Sequence, residues 1–328
     1  MSKKDRLPKL KHKLKFYFSG IIGLMTPSLY YKVKRYSLEK YFASLPESEK
    51  QDIIQRVNYY NRMDDNTPIP AGSERIGDFD RKGKNSAYYI DLVKLIQYYK
   101  KSALINYLFG DINYFPDQPA LLKSRPINGE GLKNAVVLKL DSARHFYVVE
   151  DTTPFLEKKP MLVWRGDAHQ QHRMDFVQQF HDHPLCDAGD VGKASVGKPY
   201  YRSYLTIPEQ LQYRYILSME GYDVATNLKW IMFSNSLCLM RKPRFETWMM
   251  EGRLEAGVHY VELKEDHSDF AEKIAYYDAH PEEALQIISN ANNYMRQFYD
   301  DRKELITSLL VMDKYFRCTN QKTAKLGT

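Results

Sequence analysis

Cysteine is scarce in this sequence: three residues in 328, at Cys186, Cys238 and Cys318. An odd, scattered set excludes a disulfide framework and a cysteine-ligated zinc site, and it fits a reducing compartment. Long apolar runs are missing too. The run from Phe16 to Met25 is interrupted by Ser19, Gly20 and Gly23 and is too short to span a bilayer. No small-x-small cleavage site follows it promptly, which argues against a signal peptide. No phosphate loop is spelled out. Gly189, Gly192 and Gly197 fit neither the Walker pattern nor GxGxxG, so residues 185–204 read as a flexible loop. Kinase signatures, internal repeats and low-complexity tracts are absent as well. Acids are nearly missing from residues 1–40, where Asp5 and Glu39 face eleven Lys and Arg, a net +9. The whole chain is +7, so residues 41–328 sum to −2. A near-neutral body argues against nucleic-acid binding, which needs a basic face on the folded domain.

What is present is the composition of a soluble globular protein, 43% hydrophobic and 27% charged. The chain is long enough for a large core, and two domains are expected. Residues 1–40 set Lys heads against Phe16, Tyr17, Phe18, Ile21 and Ile22. Two readings fit: a segment lying on an anionic leaflet, or a first helix packed on its own domain with a solvated basic face. Helices are expected over 41–62, with Pro46 opening the first turn, and over Ser86 to Lys101, from the spacing of Tyr89, Leu92, Leu95, Ile96 and Tyr99. Strands are expected at Ala135 to Leu140 and His145 to Val149. The charged, Pro-bracketed stretch from Asp151 to Pro160 marks a domain boundary. Thr206 with Pro208 and Glu209 opens a short helix. A strand at His259 to Leu263 precedes helices starting at Ser268, Pro281 and Leu305.

The stretch from Tyr213 to Trp248 organises the rest. Tyr213 to Ser218 reads as a buried strand and Glu220-Gly221 as a turn. Asp223 reads as the N-cap of a helix from Val224 to Phe233, and Leu237 to Met240 as a second strand. Strand, turn, helix, strand is the repeating piece of a parallel α/β sheet. Ligands bind such sheets at the C-terminal ends of the strands, beside helix N-termini that suit phosphate. On the spacing alone, an ordinary β-α-β piece with no ligand is the preferred reading.

Upstream, Met161 to Trp164 is a strand followed by an Arg165-Gly166 turn and a helix from His169 to His181 carrying Arg173. Arginine suits a diphosphate, and either arginine could instead pair with Asp167 or Asp175. One Asp-x-Asp triplet exists, Asp78-Phe79-Asp80. It lies in the irregular connection over 63–85 and follows no apolar strand, so it reads as solvated loop acids and no metal site is expected.

Taken together, FGDI…KSRPI, VWRGD…HR, EGYDVATNLKW…SNSLCLM…PRFETW and GVHYVELK resemble glycosyltransferase family 90, from about Asn106 to about Phe316. The bacterial lipopolysaccharide core branch is the nearer match, and the eukaryotic protein O-glucosyltransferases are similar. The resemblance implies a GT-B-like α/β fold with two Rossmann-type domains, a donor cleft between them and a C-terminal helix crossing back. The divisions are then 1–40 a basic candidate interfacial segment, 41–157 acceptor side, 158–298 nucleotide-sugar domain, and 299–328 returning helix and tail.

The implied activity is inverting transfer of glucose or galactose from a UDP-sugar to a lipid A-core acceptor, without metal or other cofactor. The enzyme would be peripheral on the cytoplasmic face of the bacterial inner membrane, with residues 1–40 on the anionic surface. By the resemblance Asp111 is the general base, with Asp117 as rival. Arg165 and Arg173 face the diphosphate, and Gly166, Glu220, Gly221, Asp223, Thr226 and Asn227 line the donor site. Lys229 adds charge. Glu246 accepts from ribose or sugar hydroxyls, or is an ordinary helix-start acid. Asn227 stands where the eukaryotic branch carries an arginine, which places the phosphate role of that helix in question. It also keeps open an inactive membrane-associated scaffold; a core-sugar kinase is the lesser alternative.

Overall fold

The computed structural model describes residues 14, 16–20, 22–23, 25–146 and 149–321. The chain divides into two units. Of the described residues, one holds His145–Pro243 and Glu251–Gln297, and the other holds those up to Arg144, Arg244–Met250 and those from Phe298.

The second of these is built on a three-stranded parallel sheet, β1 (Tyr107–Leu108), β2 (Ala120–Leu122) and β3 (Ala135–Val137), in that order. Residues 120–122 and 135–137 have no solvent exposure. Strands covered on both faces read as unbroken apolar runs rather than alternation. Helices Ser28–Ser44, Glu47–Tyr60 and Ser86–Ile96 belong to this unit, as does the closing helix Asp301–Cys318. Asp300 caps that last helix, its carboxylate accepting from Arg302 and Lys303 N–H.

The other unit carries five parallel strands: β4 (Lys159–Gly166), β5 (Cys186–Asp190), β6 (Tyr213–Leu217), β7 (Leu237–Met240) and β8 (Val261–Glu262). Their order across the sheet is β8-β7-β6-β4-β5. Leu162, Trp164, Tyr215, Leu217, Leu237 and Leu239 share one core with Phe176, Phe270, Ile274 and Ile287 of the helices Gln171–Phe180, Phe270–Ala279 and Pro281–Arg296. The expected capping box is present: Thr206 Oγ1 accepts from Glu209 N–H, and Glu209 accepts from Thr206 N–H at 2.6 Å.

Three expectations are corrected. The flexible loop over 185–204 begins as β5, an edge strand paired with β4. Its sequence, CDAGD, is poor in β-formers, so propensity hides it. The helix expected from Val224 to Phe233 is one turn, Leu228–Ile231, and Asp223 does not cap it. The cause lies in Asn227, whose Nδ2 donates to Leu217 O at 3.0 Å and whose Oδ1 accepts from Ser218 Oγ. A side chain tied to the strand end holds residues 222–227 in a loop. Third, His145 closes a helical turn, Ser142–His145, rather than opening a strand; residues 147 and 148 lie outside the described residues. The three cysteines are buried and unbridged.

Inside the three-stranded unit Asp91 is buried, accepting from Ser142 N–H at 2.7 Å and Ser142 Oγ at 2.9 Å. Burial pushes its carboxyl up to about 7, against the pull of the Ser142 bonds and Lys94, while Asp141 adds to the rise. The folded state therefore holds this proton more tightly than the unfolded chain. That stabilisation is complete below the ordinary carboxylate value near 3.8 and is lost as pH rises through about 7. Asp91→Asn mimics the protonated form. Urea unfolding at pH 5 and pH 8 should show the variant gaining on the wild type by on the order of 2–4 kcal/mol at the higher pH. A constant gap between the two would refute the shifted carboxyl.

Candidate active site

In the five-stranded unit the strand order places the first strand, β4, between the second and the third. The chain reverses its winding there, and in open parallel sheets the ligand crevice opens at that reversal, beyond the carboxyl ends of the strands. Here the reversal lies between β4 and β6. Residues 167–170 leave β4 at that edge, and residues 218–227 leave β6.

Arg173, on the helix after β4, laces the two loops together. Its Nε donates to Glu220 O at 2.9 Å, Nη2 to Met219 O at 2.7 Å and Nη1 to Asp167 O at 3.1 Å. His172 Nε2 also lies 2.9 Å from Glu220 O. Burial lowers the Arg173 pKa, opposed by Asp167 and Glu220. Gly221 packs close beneath this side chain, and a Cβ there would lie 3.3 Å from Arg173 Nη2. Gly166 ends β4 under the Trp164 ring, where a Cβ would lie 2.6 Å from Cζ2. The exposed groups at the crevice are Asp167, His169 and Tyr222, the two rings 5.2 Å apart.

Asp190, at the end of β5, fixes the first loop from below. It accepts from Ala168 N–H at 3.0 Å, Gly192 N–H at 2.8 Å and Ser195 Oγ. Desolvation raises its carboxyl, but these three bonds outweigh it and hold it below the ordinary carboxylate value.

In the three-stranded unit Asp111 follows the end of β1, and Lys123 follows the end of β2. Lys123 Nζ, nearly buried, donates to Asp111 Oδ1 at 2.6 Å, while the Asp111 side chain is 41% exposed. A carboxylate with one oxygen held by an ammonium and a face open to solvent can take a proton. Asp117 lies at the opposite edge, before β2, and its backbone carbonyl accepts from Asn134 Nδ2. Asp111 thus lies beyond the carboxyl ends of the strands and Asp117 before their amino ends.

Residues 141–315, just over half the chain, match the family model Glycosyl transferase family 90. O-glucosyltransferase LpsA of Dichelobacter nodosus is 50% identical over 306 residues, spanning 93% of this chain and 95% of that one. The chain belongs to glycosyltransferase family 90. It is a transferase of sugars. Protein O-glucosyltransferase 3 of Homo sapiens is 25% identical over 170 residues, 49% of this chain and 32% of the human one. Protein O-glucosyltransferase 3 of Rattus norvegicus is 24% identical over the same length. The family model begins at Asp141, beyond Asp111.

Of the family 90 residues singled out in the sequence, Gly166, Arg173, Glu220 and Gly221 gather at the crevice. Thr226 and Asn227 lie on the same loop, Asn227 as its tie to β6. Arg165 is spent on the sheet. Its Nη2 bonds Asp187 Oδ1 at 2.5 Å, and Nη1 and Nε donate to the carbonyls of Trp164, Asp187 and Ser203. Asp187 also accepts from Tyr213 OH, so β4, β5 and β6 are stapled by one cluster. Asp223 is buried.

Two roles are corrected outright. Lys229 has no exposure and its Nζ donates to Glu251 at 2.6 Å, so it cannot offer charge to a ligand. Glu246 is equally buried, in the other unit, and accepts from Arg125 Nε at 2.8 Å. Lys123, Ser124 and Arg125 of the KSRPI block are interior as well. Asp78 and Asp80 are exposed and flank the buried Phe79, with Arg75 and Lys84 as ion partners. His169, Tyr222, Asp190 and Lys123 were not foreseen; only the strand-end position of Asp190 carried a signal, and the missed β5 hid it.

Proposed function

We propose that this enzyme transfers glucose from UDP-glucose to a hydroxyl of a lipid A-core oligosaccharide by one inverting displacement, without a metal ion. The observation that carries the reading is the pair of loops at the β4/β6 reversal in a chain that is half identical to an O-glucosyltransferase. In this reading Arg173, Glu220 and Gly221 shape the diphosphate side, and Thr226 lines it. His169 and Tyr222 offer ring faces to the base. Arg165, Gly166, Asp190, Asp223 and Asn227 set the loops in place. Asp111 removes the acceptor proton as the hydroxyl attacks. Backbone N–H groups and Arg173 counter the charge that develops on the leaving diphosphate.

The reading carries with it the GT-B-like class, which a separate parallel sheet in each unit supports. It also places the enzyme peripherally on the cytoplasmic face of a bacterial inner membrane, where a lipid-anchored acceptor would be met. Among the described residues no helix is long and apolar enough to cross a membrane.

The test is UDP release with UDP-glucose and UDP-galactose on a truncated lipid A-core acceptor, with EDTA and with Mg²⁺. Acceptor-dependent release from UDP-glucose that survives EDTA is expected. Release only with Mg²⁺ would return Asp78 and Asp80 to the chemistry, and preference for UDP-galactose would change the donor. No release, with no heat of UDP binding, would overturn the reading.

A further inference from the structure

The largest group of exposed apolar side chains lies at the start of the described chain. Leu14, Phe18, Ile22, Met25, Leu29, Val33 and Tyr36 are all more than half exposed. Within each helix their spacing is the repeat of one face: four, four, three from Leu14 to Met25, and four, three from Leu29 to Tyr36. Every described position from Leu14 to Met25 is helical, and a second helix runs Ser28–Ser44 after the break at Pro27.

The opposite face of both helices is fixed to the three-stranded unit. Phe16 lies under Lys94 Nζ at 4.3 Å, and Gly20 sits so close to Ile90 that a Cβ would approach it to 2.5 Å. Tyr31 OH donates to Gly23 O at 2.7 Å, which holds the first helix to the second. In the second helix Arg35 donates to Asp313 at 2.5 Å, and Leu38 is buried. The helices are therefore amphipathic in reverse. Their inward face is already used, and an apolar stripe is left outside. A stripe on a flexible tail could fold away from water; this one is held in place.

We infer that this stripe is a docking surface for an anionic lipid bilayer, with both helices lying in the headgroup plane. Charge complementarity selects that occupant. Lys32 and Lys40 are exposed beside the stripe, and Lys34 Nζ and Lys40 Nζ lie over the rings of Tyr30 and Tyr36, at 5.6 and 4.6 Å. Apolar side chains flanked by tyrosines and lysines match the composition of a segment at a bilayer surface. The excess of cations over residues 1–40 adds long-range attraction to acidic headgroups. A second copy of the chain would bring the same cations against each other. The inference takes its purpose from the proposed lipid-anchored acceptor, but its test does not pass through turnover.

The test is vesicle co-sedimentation of the full chain with phosphatidylglycerol-rich and with phosphatidylcholine vesicles, at low and high salt. The wild type should bind the anionic vesicles more tightly, with a loss at high salt. Ile22→Ser, Leu29→Ser and Val33→Ser together should weaken binding by about tenfold or more with the unfolding midpoint little changed, since all three side chains are more than half exposed. Lys32→Glu with Lys40→Glu, which takes residues 1–40 from +9 to +5, should narrow the preference for anionic lipid. Unchanged binding by the triple variant would overturn the inference. So would a wild type that stays in solution and dimerises through the stripe, read as a triple variant sedimenting as monomer.

Discussion

Asp111→Asn is expected to lower kcat by roughly a hundredfold to ten-thousandfold while leaving UDP-glucose affinity unchanged. The amide keeps the shape of the carboxylate and still accepts from Lys123 Nζ, now 2.6 Å from Asp111 Oδ1, but it cannot take a proton from an attacking hydroxyl. Lys123 is nearly buried and loses the formal charge opposite it, so a modest fall in stability is expected alongside. Assays therefore belong well below the variant's unfolding midpoint. The comparison that gives the result meaning is Asp117→Asn. Asp117 is exposed at the other edge of the sheet, and its recorded bond runs through its backbone carbonyl. That variant should turn over like the wild type. Full activity in Asp111→Asn with loss in Asp117→Asn would exchange the two roles; loss in neither would move the base elsewhere. A fall in donor affinity with unchanged kcat would make Asp111 a binding residue.

Much of the five-stranded sheet was legible because parallel strands, covered on both faces, leave runs such as YRYIL and LCLM that local reading finds. β7 was placed over Leu237–Met240 as expected, and β6 within one residue. The turn after β6 was legible for the same reason, since a ligand edge follows from where a parallel strand ends. What escaped was set by distant partners. β5 holds its place by pairing with β4, not by its own composition. The helix after Asp223 is shortened by the tie from Asn227 back to Leu217, ten residues earlier in the chain. Lys229 and Glu246 looked available because charge usually means solvent. Their partners, Glu251 and Arg125, are 22 and 121 residues away, and no local pattern announces such a pairing.

Those buried pairs carry the largest stability effect. Glu246→Ala should lower unfolding stability by about 3–5 kcal/mol, read as a shifted urea midpoint. Arg125 has no exposure, and burial works against its charge, which Glu246 offsets through the bond to Nε. Its Nη1 and Nη2 donate to the carbonyls of Tyr59, Tyr60 and Ala135, neutral acceptors that do not balance the cation. The loss also strips a partner from Tyr59, whose hydroxyl donates to Glu246. Because the strand Phe245–Glu246 pairs with Arg125–Pro126, the damage should fall on the three-stranded unit. Donor affinity measured while the variant is folded should not change, since no ligand reaches a carboxylate with no exposure. Removing both charges, as Arg125→Met with Glu246→Met, should recover only part of the loss, because it relieves the uncompensated cation but takes the Arg125 donors from the carbonyls of Tyr59, Tyr60 and Ala135. A Glu246→Gln variant that is as stable as the wild type yet fails to bind UDP-glucose would place Glu246 in the donor site after all.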